Sequence, residues 1–379
     1  MGHGLRHPAD LVAWRRWHES RHPVRWAART ARSRVRPVAP DVADLLLPDG
    51  DVAVLVAVEA THASVDRAVI APLDHLAAAT TAVVAPAGWQ PPAAYASHRR
   101  TSVALDDLGA HLSPRAVLAA GHYTPIGAAA FALADERDVP FHVSQHGALT
   151  PYAPPLPRVA RLLAWSEQDG AFWTAGRRDV DVTVVGSELL WRAGLVTGAR
   201  APSSTSGSAR APSSTSGSAR APSSTNGGVG ATSSGSSGPL TYLGQGHAAE
   251  ISRARLAHAA LTTCRAHGAV YRPHPSERDV TSRAVLRTLE RAGVRVVTDG
   301  PPLVDLDAPI VSVFSTGVLE AAARGRDAWV DLPRPPAWLG EFWERYRMHR
   351  LGDSPTPAPD RPAVQPARRV AEVVQEAAS

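Results

Sequence analysis

Three short stretches combine side chains that hold phosphates or move protons. Arg272-Pro273-His274-Pro275-Ser276-Glu277 sets an imidazole between two prolines, which fix φ on either side and push each preceding residue out of the helical region. His274 is thereby expected on a stiff loop, with Arg272 two residues before it and Ser276 positioned to cap the next helix. Helix N-termini carry free N–H groups and a positive dipole end, so the chemistry suited to this loop is phosphate binding. A plain helix cap beside a loop histidine fits the same residues. Ser315-Thr316-Gly317 follows an apolar run and opens a helical one, which again places hydroxyls and backbone N–H groups where an anion binds. Glu320, one turn in, either completes a capping box or accepts bonds from a ribose, and simple capping accounts for the motif as well. Gln145-His146-Gly147 ends another apolar run ahead of the rigid Thr150-Pro151-Tyr152-Ala153-Pro154-Pro155-Leu156-Pro157 loop. A histidine there is placed to take a proton from a hydroxyl, or is a satisfied structural histidine.

Gly244-Gln245-Gly246-His247-Ala248-Ala249 has the glycine spacing of a dinucleotide fingerprint. The following strand should then end in an acidic residue for the ribose, yet it ends in Tyr271-Arg272-Pro273-His274. Gly244 and Gly246 are therefore read as a loop that lets a substrate approach the backbone, and no cofactor is expected.

The elements around these stretches alternate. Val52 to Val58, Ala82 to Ala85, Val117 to Ala120, Val139 to Ser144, Leu162 to Trp165 and Val182 to Val185 are continuous apolar runs, with helical periodicity over Ala63 to Ala79 and Ile126 to Arg137. Continuous apolar strands separated by helices predict a parallel sheet covered on both faces. Ligands in such sheets sit at the strand carboxyl ends, where Glu59, Thr61, His62, Gly121, His122 and His146 fall. The alternation restarts with strands at Leu240 to Leu243, Ala269 to Arg272, Val294 to Val297, Pro309 to Phe314 and Ala328 to Leu332, with helices at Ala249 to His267, Arg278 to Ala292, Gly317 to Arg324, Trp338 to Tyr346 and from Pro366 onward. Between the two series a ten-residue unit beginning Ala-Arg-Ala-Pro-Ser-Ser-Thr starts at Ala199 and again at Ala209, with an altered copy at Ala219. Nothing in it builds a core, so it reads as a flexible linker. The expected fold is α/β, with two Rossmann-like domains facing across a cleft: a basic segment 1–45, an acceptor domain 46–196, the linker 197–238 and a nucleotide-donor domain 239–379.

Composition bounds the chemistry. All 40 basic residues are arginine, which removes Walker loops, Schiff bases and Ser-Lys pairs. Cys264 is the only cysteine, so neither an internal disulfide nor a cysteine-rich metal site is expected. No run is long and apolar enough to span a membrane and no signal-peptide core is seen, so a cytoplasmic chain is expected. Heavy Ala, Pro and Arg usage fits a GC-rich, actinobacterial type of genome. Nine arginines against Asp10 and Glu19 give residues 1–40 a charge of +7, and the rest of this +5 chain is acidic. Trp14, Trp17 and Trp26 are interleaved with those arginines. The mixture suits an anionic membrane surface, a helix packed on the domain by its indoles, or RNA.

Arg272-Pro273-His274-Pro275, followed some forty residues later by Ser315-Thr316-Gly317 and Glu320, resembles the His-Pro and Ser/Thr motifs of GT-B glycosyltransferase-like enzymes. The likeness is to CDP-glycerol glycerophosphotransferases and to bacterial capsule polysaccharide transferases, including polysialyltransferases. It implies that His274, Ser315 and Thr316 hold the phosphates of a nucleotide-activated donor (CDP-, CMP- or UDP-linked), with Glu320 as a ribose contact. Gln145-His146-Gly147 is similar to the His-Gly motif of the glycerophosphotransferases and implies His146 as general base. The paired acidic residues before glycine found in polysialyltransferases have no counterpart, since Asp106-Asp107 is followed by Leu108. The expected activity is transfer of a sugar or polyol phosphate to a hydroxyl of a surface polymer or lipid-linked acceptor, without a metal, near an anionic membrane engaged by residues 1–40. The alternatives are an enzyme resembling UDP-N-acetylhexosamine 2-epimerases and an RNA-binding protein using the arginine-rich end.

Overall fold

The computed structural model describes residues 4–21, 41–59, 63–197, 238–245, 249–301 and 303–379. The repeat linker, Trp26, Thr61, His62, Gly246 and the arginines from Arg25 to Arg36 lie outside them. A first helix, α1 (Leu11–Ser20), is capped by Asp10, whose carboxylate accepts the Ala13 amide at 2.8 Å.

An eight-stranded sheet follows: β1 (Val42–Leu47), β2 (Val54–Ala57), β3 (Thr81–Pro86), β4 (Arg99–Ala104), β5 (Ala116–Ala119), β6 (Phe141–Ser144), β7 (Arg161–Ala164) and β8 (Asp181–Val184). Their order is β4-β1-β3-β2-β5-β6-β7-β8. The six strands read from the sequence are parallel, and the structure adds β1, antiparallel to both β3 and β4. The sheet is therefore mixed, not wholly parallel. Both added strands are disguised by charge. Asp44 interrupts the apolar run of β1, and Arg99-Arg100-Thr101-Ser102 opens β4. Asp44 is nonetheless buried, because it accepts the Arg100 guanidinium at 2.7 Å and the Gly88 amide at 2.8 Å.

Alternate strand residues face opposite cores. Leu45, Leu47, Leu55 and Ala57 pack with Ile126, Ala130 and Leu133 of α2 (Pro125–Arg137) and with Phe172 and Trp173 of α3 (Glu167–Thr174). Leu46, Val54 and Val56 pack with Val65, Val69 and Leu73 on the other side. The last three lie on an irregular helical passage, Ala63–Val65, Asp66–Ile70 and Ala71–His75, which passes from one α turn through π to 3-10 geometry. Pro72, lacking an amide donor, falls where the bonding pattern changes.

After α4 (Glu188–Thr197) the second sheet comprises β9 (Thr241–Leu243), β10 (Val270–Arg272), β11 (Ile310–Ser312) and β12 (Ala328–Val330), all parallel in the order β10-β9-β11-β12. The stretch expected as a strand at Val294 to Val297 forms only an isolated bridge between Val296 and Tyr271. Helices α5 (Arg253–His267), α6 (Val280–Arg291), α7 (Thr316–Ala323) and α8 (Ala337–Arg345) flank this sheet. Tyr242, Ile310, Val318, Leu339 and Phe342 share its core. The final helix, α9 (Pro366–Ala377), returns to the first sheet, where Val370, Ala371 and Val374 are buried beside Leu73 and Leu118. No helix among the described residues is long and apolar enough to cross a membrane.

Candidate functional site

Parallel strands β2, β5 and β6 are neighbours, so the loops beyond their carboxyl ends converge. They bring together Glu59, the His122-Tyr123-Thr124 turn and His146. The Tyr123 hydroxyl lies 3.4 Å from His146 Nε2. Thr124 caps α2, its hydroxyl accepting the Gly127 amide at 3.3 Å. Gly127 is required there, since a Cβ would stand 2.0 Å from Glu59 Oε1 and 2.1 Å from the Gly121 carbonyl. The Glu59 carboxyl is thus pressed against the first turn of α2. Burial pushes its pKa up to about 7 against the opposing Thr124 hydroxyl, and its Oε1 is buried without a hydrogen-bond partner among the described residues. Burial also drives His122 down to about 4, helped by Arg15 and Arg177, so this ring stays neutral. A carboxyl poised near neutrality in a strand-end loop is a common arrangement for proton transfer.

The His146 loop is held from both sheets. Gln145 is buried and its amide donates to the Gly147 carbonyl (3.0 Å) and Asp169 (3.2 Å), while its oxygen accepts the Trp165 amide at 2.9 Å. Asp169, whose pKa burial raises, accepts the Tyr346 hydroxyl at 2.6 Å. The same Tyr346 oxygen accepts the Leu149 amide at 2.7 Å, and the Arg345 guanidinium bonds the Leu149 carbonyl while lying over the Phe172 ring. One residue closer to His146, the Ala148 amide donates to Thr316 Oγ1 at 3.2 Å. Two hydroxyls of the second half, those of Tyr346 and Thr316, therefore touch the loop that carries the candidate base of the first.

The remaining residues singled out in the sequence are distributed unevenly. Ser315 caps α7, accepting the Gly317 amide at 3.1 Å, and Gly317 is packed against Leu303 and Leu243. Glu320 pairs with Arg324 at 3.8 Å and faces inward, its pKa raised by burial. The paired carboxylate completes no capping box. His274 and Ser315 do not follow neighbouring strands, because β9 runs between β10 and β11. The turn after β9 spans the interval, because Gln245 Oε1 accepts both the Phe314 amide (2.8 Å) and the Ser312 hydroxyl (3.2 Å). Gly244 lies so close to Tyr271 that a Cβ would stand 2.3 Å from its hydroxyl.

His274 Nδ1 accepts the Ser276 amide at 3.1 Å. An amide can only donate, so the neutral ring carries its proton on Nε2, the form that donates to a phosphate oxygen. Glu277 fixes the loop by accepting the Tyr271 hydroxyl at 2.9 Å and the His274 amide at 3.2 Å. Arg272 turns aside to the Pro301 carbonyl at 2.5 Å, and burial lowers its pKa.

Helix α1 covers the first cluster. Trp14 donates to the Tyr152 carbonyl at 2.8 Å and sets its edge against Tyr123, while Trp17 stacks on Tyr152 at 4.6 Å. Arg21 reaches the Ala249 carbonyl in the second half at 2.8 Å. These two indoles thus pack on the chain itself.

A cleft of about 840 Å³ opens at the carboxyl ends of β7 and β8, lined by residues of α3, α4, α7 and α8 and of the segment 357–362. A small hollow lined by His146, Arg67 and Ser64 adjoins it, and Trp165, Gly186 and Ser187 line both. Tyr123, Thr124, Asp169 and Tyr346 were not legible as site residues. The one available signal was the polar turn after β5. No protein-family model matches the chain, and no curated protein matches it.

Proposed function

We propose that the chain is a GT-B-like transferase, its two sheet-centred units facing across the cleft. It would move a sugar or polyol phosphate from a nucleotide-activated donor to an acceptor hydroxyl on a surface polymer or lipid-linked chain. The observation that carries this reading is the Ala148 to Thr316 hydrogen bond, because it brings the His146 loop and the α7 N-terminus to one seam. In the reaction the acceptor oxygen bonds the transferred group while its proton passes to His146. The bond from that group to the nucleotide phosphate breaks, and the electron pair stays on the departing phosphate oxygen. His274, donating from Nε2, and the N-terminus of α7 stabilise the charge that develops there. The arginine charge of residues 1–40 supports work beside an anionic surface.

Thermal shift with CMP, CDP, UDP and GDP tests the donor side. One nucleotide should raise the melting temperature of the wild type and of His146→Ala but not of His274→Ala. Equal responses from wild type and His274→Ala would remove His274 from the site, and no response from any protein would end the reading.

Glu59 favours a second reading. A buried carboxyl with a pKa near 7 suits abstraction of a carbon-bound proton, as in an epimerase acting on a nucleotide sugar. Turnover of a UDP-sugar with no acceptor present, lost in Glu59→Gln, would select it over transfer.

A further inference from the structure

The transferase reading leaves the acceptor open between neutral chains and phosphate-linked ones, and the cleft at β7 and β8 bears on that choice. Its apolar lining includes Trp165, Leu190, Trp191, Leu319, Pro359 and Pro362. Indole faces and prolines match the C–H faces of sugars and polyols. The wall at the end of β8 is fixed in shape. Gly186 has φ +83°, and a Cβ there would stand 2.5 Å from Pro362.

The charges lining the cleft largely pair among themselves. Asp169 accepts the Tyr346 hydroxyl and lies 3.7 Å from Arg345, and Arg347 bonds Asp360 at 2.7 Å. Arg361 lies over the Trp191 ring at 4.8 Å. Glu167, Gln168 and Glu344 stand exposed on the rim. Glu167 and Glu344 against Arg361 leave the lining net negative by one charge, which disfavours a polyanion, and the two carboxylates and the Gln168 amide oxygen accept hydrogen bonds from hydroxyls. Trp165, Gly186 and Ser187 also line the hollow at His146, so a chain lying in the cleft passes beside that hollow.

We infer that this cleft binds a neutral, hydroxyl-rich chain, a saccharide or a polyol, as the acceptor. This rests on the transferase reading only for the word acceptor; the binding itself does not.

Tryptophan fluorescence and calorimetry on the full chain test it, with maltohexaose, cellohexaose, chitohexaose and linear polyglycerol as neutral probes and poly(glycerol phosphate) as the charged one. At least one neutral probe should bind, roughly tenfold more weakly to Trp191→Ala and close to normally to Trp191→Phe, as expected for loss of one stacking face. The oligosaccharides against polyglycerol separate a sugar from a polyol. Glu167→Gln, an exposed change that spares the core, should also weaken neutral binding. The inference is overturned if no neutral probe binds, if poly(glycerol phosphate) binds as tightly as the best neutral probe, or if Trp191→Ala binds like the wild type. The nucleotide response measured in parallel keeps the two ideas apart: it should be unchanged in Trp191→Ala, and its absence beside intact oligosaccharide binding would remove the transferase reading alone.

Discussion

The Tyr346 hydroxyl donates to Asp169 at 2.6 Å and accepts the Leu149 amide at 2.7 Å, so a single oxygen from the end of α8 ties two elements of the first half together. With the Ala148 to Thr316 bond it fixes the segment that begins at His146. The placement of that histidine's loop therefore depends on a residue 200 positions later in the chain.

Tyr346→Phe should leave a buried amide and a buried carboxylate each short of one partner. The expected loss is about 2–4 kcal/mol in denaturant unfolding. A loss under about 0.5 kcal/mol, the range of an ordinary surface change, would show that the hydroxyl is not the tie described.

Glu59 gives a signed pH dependence. At pH values below 4.5 its carboxyl is protonated in both folded and unfolded chains and contributes no penalty. Between 4.5 and about 7 the folded chain retains a proton that the unfolded chain has released, so stability falls as pH rises and the loss is complete above about 7. Glu59→Gln should therefore gain on the wild type by roughly 3 kcal/mol between pH 4 and pH 8. Unfolding curves for both proteins across that range provide the check, and a difference independent of pH would contradict it.

Asp44→Ala should strip Arg100 and the Gly88 amide of their shared acceptor inside the antiparallel edge. Arg100 is partly exposed, so the cost should fall near the low end for a broken buried pair, about 2–3 kcal/mol. Double Asp44→Asn, Arg100→Gln replacement should recover part of it. Chemical denaturation of the single and double variants measures both values.

Trp14→Ala removes the indole edge that covers Tyr123, the residue beside His146. Carbethoxylation of His146, followed by peptide mass spectrometry, should then be severalfold faster than in the wild type. An unchanged rate would mean that α1 does not limit access to the imidazole.

Six parallel strands of the first sheet were legible because each is an apolar run; five of them are buried, and only the edge strand β8 leaves its valines, Val182 and Val184, exposed. Strands β1 and β4 were not, since Asp44 looks like a solvent-facing charge until it is seen to be buried and neutralised by the more exposed Arg100. The stretch Val294 to Val297 has the composition of a strand but gains only one bridge, which shows propensity yielding to the available pairing. The last helix could be read from its amphipathic period, whereas its partner surface could not, because periodicity names a buried face without naming what buries it.

The sequence by itself determined the chemistry at hand: arginine as the sole fixed cation, an imidazole clamped between prolines, hydroxyls at a helix start, and a histidine at the end of a buried strand. These follow from residue type and local backbone restriction, which act over a few positions. Only the tertiary structure decided which groups meet. Strand order separated His274 from Ser315, burial moved Glu59 toward neutrality, and long-range hydrogen bonds joined Thr316 and Tyr346 to the His146 loop. Such relationships depend on desolvation and on contacts between residues far apart in the chain, neither of which is encoded in spacing.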